Sequence, residues 1–228
     1  MFRSFEEARR SAPRGRIGYD YPEFANMYTE RRSRIFEADY PVMFWLERIL
    51  REDTRVFDYG GHTAVAFYGF ESYLKYPVDL SWTVYDVPSV LAEGRRVLAE
   101  QPRAALRFSD DLSELAQHSV FHASGALQYV ETPLWQQLEA LVARPKHLLL
   151  NKLPLWSGAQ FVTLQNTMHA YNPYAVYNRN EFIGGLQALG YRVVDAWDDW
   201  ERSCRPLNES AHQVPFYSGL YLRLGATT

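Results

Sequence analysis

Cysteine is nearly missing from this sequence: Cys204 is the whole complement. No internal disulfide can form, and a reducing compartment fits such usage. Long apolar runs are missing too, since none approaches the roughly 18 residues that a membrane span needs. The opening MFRSFEEARRSAPRGR has no apolar stretch of the kind found at the centre of a signal peptide. The expectation is a cytoplasmic protein with no membrane partner. Charge of one sign is also lacking: the formal net charge is -3 and the pI about 6.1. Such a balance offers nothing to a polyanion, so nucleic acid is not an expected partner. Lysine is scarce, with only Lys75, Lys146 and Lys152.

What is present is apolar side chain. Of 228 residues, 47% are hydrophobic and 15% aromatic, enough for one sizeable core in a single domain over residues 1–228. Strand-length apolar runs lie at 55–60, 81–87, 106–110, 119–124, 147–153, 191–197 and 218–224. Between them, 88–101, 132–144 and 178–190 carry helical spacing of their apolar residues. Asn178 suits an N-cap and Gly190 a helix stop. The alternation predicts an α/β fold of parallel βαβ units. No repeat, low-complexity tract or linker divides the chain, so 1–50 reads as an N-terminal helical cap and 51–228 as a Rossmann-like core. After Gly190 two strands follow with only a loop between them. The last strand should therefore return antiparallel, giving a seven-stranded, mostly parallel sheet that ends in an antiparallel hairpin.

In a doubly wound sheet the ligand lies outside the carboxyl ends of the strands. The first strand ends there in VFDYGGHTAVAFYGF, residues 56–70. Gly60 and Gly61 let the backbone turn sharply and approach a ligand, and Asp58 can accept hydrogen bonds from it. A tight turn that holds nothing would read the same way. Asp86 ends the second strand in TVYDVPSV, 25 residues beyond Gly61, where a carboxylate can take both ribose hydroxyls, with Val87 beside it. It could also cap the helix after Pro88. Ser109, Asp110 and Asp111 follow the third strand; one of them can contact an adenine amino group, or they form an ordinary helix cap.

These stretches resemble class I methyltransferases, users of S-adenosylmethionine (SAM). DYGGH resembles their first motif, an acid, one residue and Gly-x-Gly, although His62 and Ala64 stand where further glycines often occur. DVP resembles the second motif of small-molecule O-methyltransferases. FHASGALQYVETP, at the fourth strand, resembles the segment that borders the transferred methyl. FVTLQNTMHAYNPYAVYNRNEFIGGLQALGYRVVDAWDDWERSC resembles the C-terminal half of a bacterial class I family often found among surface-polysaccharide genes, and the likeness covers nearly the whole chain. It implies SAM as cofactor, with Asp58, Gly60, Gly61, His62, Asp86, Val87, Ser109, Asp110, Ser124 and Gly125 around it. Asp/Asn-Pro-Pro-Tyr, the signature of many amino-methylating nucleic-acid enzymes, is absent. No acid on the fourth strand begins an oxygen-rich Mg²⁺ site, and Asp198 and Asp199 read as a solvated loop, so no metal is expected. A short-chain dehydrogenase fails for want of Tyr-x-x-x-Lys, because Glu71, Val142 and Leu148 precede the three lysines by four. A hydrolase fails for want of Gly-x-Ser-x-Gly, and Cys204 in a polar loop is a poor nucleophile. A non-catalytic SAM- or nucleotide-binding protein of the same fold remains the rival.

Methyl transfer to an alcohol calls for a base near neutral pH, which points to histidine. His169 comes first, then His122, then His62. Tyr19, Tyr21, Met27 and Tyr28 in the N-terminal segment can wall the methyl site, while Arg31 or Arg32 can pair with the methionine carboxylate or simply face solvent. Gln128, Gln165, Asn166, Tyr171 and Tyr174 are the other acceptor contacts expected. NTMHAYNPYAVYNRN repeats tyrosine at 171, 174 and 177 beside Asn166, Asn172 and Asn178. Aromatic faces with neutral hydrogen-bonding groups suit a small-molecule or glycan hydroxyl, although the tyrosines could equally pack the loop onto the sheet. O-methylation is favoured over N-methylation of a small metabolite, and a homodimer is possible.

Overall fold

The computed structural model describes residues 1–13, 15–25, 32, 34–167, 169–207, 209 and 211–225. Three helices come first: α1 (Phe5–Ser11), α2 (Pro22–Ala25) and α3 (Asp39–Ile49). The core then runs β1 (Arg55–Tyr59), α4 (Val65–Glu71), β2 (Ser81–Tyr85), α5 (Pro88–Glu100), β3 (Leu106–Ser109), β4 (Val120–Ser124), α6 (Leu134–Glu139) and β5 (His147–Leu153). It closes with β6 (Leu155–Trp156), β7 (Phe161–Asn166), β8 (Tyr171–Asn178), α7 (Arg179–Ala188), β9 (Tyr191–Asp199) and β10 (Tyr217–Leu224).

The seven expected strands form one sheet, ordered β3-β2-β1-β4-β5-β10-β9. β10 is antiparallel to both β5 and β9, and the other pairings are parallel. Strand order reverses beside β1, which places the ends of β1, β2 and β4 around one crevice. Helices cover both faces. Leu46 and Ile49 of α3, Phe67 of α4 and Leu91 and Val97 of α5 bury against Val56, Trp82 and Val84 on one side. Leu134 and Leu138 of α6 and Phe182 and Leu186 of α7 pack against Phe57, Phe121 and Leu148 on the other.

Local chemistry sets the helix bounds. Pro88 opens α5 with its φ already helical, and Gly94 lets that helix approach β3, where a Cβ would stand 2.4 Å from the Phe108 ring. The Asn178 side chain caps α7 by accepting from the Glu181 N–H at 2.9 Å, and Gly190 ends it at φ +94°. α6 is shorter than the expected 132–144. Arg144 precedes Pro145 and is steered away from the helical region, and the Leu138 carbonyl is taken by the Arg144 Nε–H at 3.2 Å.

A second sheet, ordered β6-β8-β7, was not expected. It occupies the stretch read as an acceptor loop. On a strand, neighbouring side chains face opposite ways, so tyrosines three apart cannot share a face. Tyr174 packs with Phe161, Val176 and Tyr217. Tyr177 goes into the main core, its hydroxyl donating to the Leu127 carbonyl at 2.5 Å.

Candidate active site

The ends of β1, β2, β4 and β5, the N-terminal segment and the second sheet enclose a cavity of about 1300 Å³. That exceeds the roughly 300–1,000 Å³ of an ordinary small-molecule site and leaves room for a nucleoside-sized ligand together with a second molecule.

The glycine turn forms one wall. Gly60 has φ +66° and donates its N–H to the Tyr85 carbonyl at 2.7 Å; a Cβ there would lie 2.3 Å from that of Ala126. At Gly61 a Cβ would lie 2.5 Å from the Asp58 carboxylate. His62 and Ala64 adopt φ 56° and 63°. Both positions therefore keep the left-handed backbone that glycine would take for nothing, at a cost on the order of 1–2 kcal/mol each for a side chain. Contacts hold the turn against that strain. The His62 N–H donates to Asp86 Oδ2 at 2.9 Å, His62 Nε2 donates to the Phe24 carbonyl at 2.8 Å, and Nδ1 meets Thr63 Oγ1 at 3.2 Å.

Asp58 is buried under the turn, its Oδ1 2.7 Å from His122 Nδ1 and its Oδ2 accepting from Trp82 Nε1 at 3.1 Å. It organises the floor of the cavity. His122 is buried as well, and its Nε2 has no partner among the described residues. Asp86 closes the β2 side. Its Oδ1 accepts from the Val87 N–H at 2.7 Å, and removal from water pushes its carboxyl up to about 6, against the pull of the Val87 and His62 N–H groups. Gly60, Gly61, His62, Asp86, Val87, Asp110, Ser124 and Gly125 all line the cavity. Ser109 does not: its hydroxyl donates to Glu114 Oε1 at 2.7 Å and accepts from the Asp111 N–H at 3.1 Å. Asp111 caps the short 3₁₀ turn Leu112–Gln117 through the Ser113 N–H at 2.9 Å. For these two residues the capping role is the one the geometry shows.

The opposite wall is aromatic. Tyr19 and Tyr129 meet edge-on with centroids 4.7 Å apart, Tyr129 and Tyr174 do so at 5.1 Å, and the Tyr174 and Tyr217 hydroxyls bond at 2.6 Å. Tyr129 donates to Gln165 Oε1 at 2.6 Å. Gln128, Gln165, Asn166 and Asn172 line the same end. The Gln128 Oε1 and Asn172 Oδ1 atoms are buried without a partner among the described residues.

Several expected acceptor contacts lie elsewhere. His169 is exposed and outside the cavity lining, its ring edge-on to Phe24 at 5.7 Å. Tyr21 turns its hydroxyl to the Ile17 carbonyl at 3.3 Å and sits under the Arg16 guanidinium. Tyr171 borders Gly15 and Ile17 rather than the cavity. Met27, Tyr28 and Arg31 lie outside the described residues. The charge of Arg32 acts on Glu93 and Tyr68, and the arginines that line the cavity are Arg9, Arg34 and Arg202. Sequence reading also passed over Phe36, Asp39, Lys152, Arg202 and Tyr217. Lys152 alone left a signal, a polar Asn-Lys pair at the carboxyl end of the apolar run HLLLNKL. Among the described residues no cluster of metal-ligating side chains occurs, and no helix is long and apolar enough to cross a membrane.

No family model matches the chain, and no curated protein matches it in sequence. Solved structures do match in fold. A Burkholderia thailandensis 1,6-didemethyltoxoflavin-N1-methyltransferase, with its substrate and S-adenosylhomocysteine (SAH) bound, is 18% identical with a TM-score of 0.55, covering 90% of this chain and 84% of that one. The N-terminal domain of EvdMO1, with SAH and D-fucose, is 11% identical with a TM-score of 0.55 and 84% of each chain covered. The glycopeptide N-methyltransferase MtfA, complexed with SAM, is 13% identical with a TM-score of 0.55, covering 82% of this chain and 94% of that one. The chain shares their class I methyltransferase fold.

Proposed function

We propose that this protein is a SAM-dependent methyltransferase that methylates a hydroxyl of a small molecule or glycan. The observation that carries the reading is the pairing of a glycine turn with no room for a Cβ at Gly60 or Gly61 and a carboxylate, Asp86, facing the same cavity. These residues fit the cofactor. The turn admits a ligand close to the backbone, Asp86 offers two oxygens to a ribose diol, and Asp110, in the cavity lining, can accept from an adenine amino group. SAM supplies a methyl already activated on a sulfonium, so the chain has mainly to orient the acceptor and exclude water.

The acceptor end supports the hydroxyl preference. Its aromatic wall suits the apolar faces of a sugar or a planar ring, and the orphan oxygens of Gln128 and Asn172 call for donors, which hydroxyls provide. D-fucose in one fold neighbour agrees with this. N-methylation of a small metabolite is the second reading, since two of the neighbours carry that activity. A cytoplasmic site of action and a role in polysaccharide or natural-product biosynthesis belong to the same proposal. The test is a screen of nucleotide-sugars, free sugars, phenols and amines for SAM-dependent gain of a methyl group by mass. Gain on hydroxyl compounds is expected, and methylation confined to amines, peptides or nucleic acid would contradict it.

A further inference from the structure

Of the three candidate histidines, His169 alone is excluded by its position. The His62 ring is held by Phe24 and Thr63, His122 lines the cavity with Nδ1 on Asp58 and Nε2 unpartnered among the described residues, and His169 stands outside the cavity. The cavity does contain another group able to exchange a proton. Lys152, at the carboxyl end of β5, lines it with a side chain only 12% exposed. Its backbone is left-handed at φ 58°; with His62 and Ala64 it completes the set of non-glycine residues of positive φ among the described residues. Strain of this kind persists where the surroundings fix it, and it gathers at working sites.

What fixes Lys152 is a chain of oriented hydrogen bonds. Its Nζ is 2.6 Å from Asp39 Oδ1 and 5.4 Å from the centre of the Phe36 ring. Asp39 cannot swing away, because its Oδ1 also accepts from Asn151 Nδ2 at 3.1 Å and its Oδ2 accepts from the Phe36 N–H at 3.0 Å. Asn151 is held in turn by Trp197 Nε1, which donates to its Oδ1 at 3.0 Å. The held carboxylate fixes where Nζ points, although its charge favours the ammonium form. Burial lowers the Nζ pKa most and the Arg202 charge lowers it further, while Asp39 and Asp199 oppose them.

We propose that Lys152 Nζ takes the proton of the methyl acceptor and that Asp39 is the residue that positions it. This rests on the methyltransferase reading. As the acceptor's O–H bond breaks, its proton goes to the lone pair of the neutral amine. The acceptor oxygen forms the new bond to the methyl, whose former bonding pair stays on the departing sulfur. The ammonium then returns the proton to water.

Three lysines make the proton site directly readable. With all three reductively methylated with ¹³C-formaldehyde, an NMR pH titration should show the Lys152 signal titrating below those of Lys75 and Lys146, and Asp39→Asn should lower it further. A Lys152 midpoint at or above that of Lys75 would overturn the inference. The kinetic arm uses SAM with D-fucose, UDP-glucose and 4-methylumbelliferone as acceptors. Lys152→Met and Lys152→Arg should each lose about 10²-fold or more in kcat with SAH affinity by calorimetry unchanged, and ethylamine should restore part of the Lys152→Met rate in proportion to its free base. Arginine keeps the charge but cannot be deprotonated. A Lys152→Arg variant as active as the parent would show that only the charge matters and would refute the base. If the parent protein binds no SAH, the methyltransferase reading itself fails; SAH binding with an ordinary Lys152 titration removes the base alone.

Discussion

Asp86 answers two demands that pull in opposite directions. As a carboxylate it accepts from His62 and Val87 and faces the cavity, yet its surroundings raise its pKa to about 6. A carboxyl raised in the folded state contributes stability that is present below its unfolded pKa and lost as pH rises through about 6. Ligand binding has the opposite sign, because a diol is best received by the charged form. SAH affinity should therefore fall as pH drops below about 6, by roughly tenfold per unit at the limit. Asp86→Asn should flatten that limb and cost roughly 10-fold or more in affinity at pH 7.5, about 1.4 kcal/mol, without lowering Tm. Calorimetry across pH checks the first part and thermal denaturation the second. Gly61→Ala should act differently, forcing a methyl against the Asp58 carboxylate. A loss of about 1–3 kcal/mol, read by chemical denaturation, is expected. Much of this wall of the cavity was legible because a glycine turn and acids at strand ends fall where a doubly wound sheet opens its crevice. Lys152 and Asp39 were not legible as a pair, since 113 residues separate them and only the fold brings them together.

At the scale of elements, patterning placed the seven strands of the main sheet within a residue or two, because β1, β4 and β5 are buried and read as continuous apolar runs. The second sheet escaped for a stated reason. Asn172 and Pro173 look like turn residues, whereas in β8 Asn172 turns its amide to Thr167 Oγ1 at 3.0 Å and the strand continues through the proline. The spacing of Tyr171, Tyr174 and Tyr177 suggested one acceptor surface, and the strand's alternation divides it. Tyr177→Phe should remove one of the two bonds to the Leu127 carbonyl, which keeps the Val130 N–H at 3.1 Å, and cost about 0.5–1.5 kcal/mol of stability with acceptor turnover intact. Tyr174→Ala should lower turnover on the true acceptor while SAH binding persists. Equal effects of both variants on turnover would mean that the two faces are not distinct. The cap of α7 offers a cleaner stability test, since Asn178→Ala should cost about 1 kcal/mol by urea titration and leave ligand binding unchanged.

For the whole molecule, the account places a cofactor at the β1 and β2 ends and an acceptor against the second sheet, with both bound by the folded chain alone. A ligand present at about 100 times its Kd adds about 2.7 kcal/mol of stability, which for a chain of this size should raise Tm by roughly 5–10 °C. The most direct measurement is isothermal titration of SAM, SAH and NAD into the protein beside Asp86→Asn. The account predicts one-to-one binding of SAM and SAH, weakened in the variant, and no measurable binding of NAD. NAD bound tightly with neither SAM nor SAH bound would contradict it.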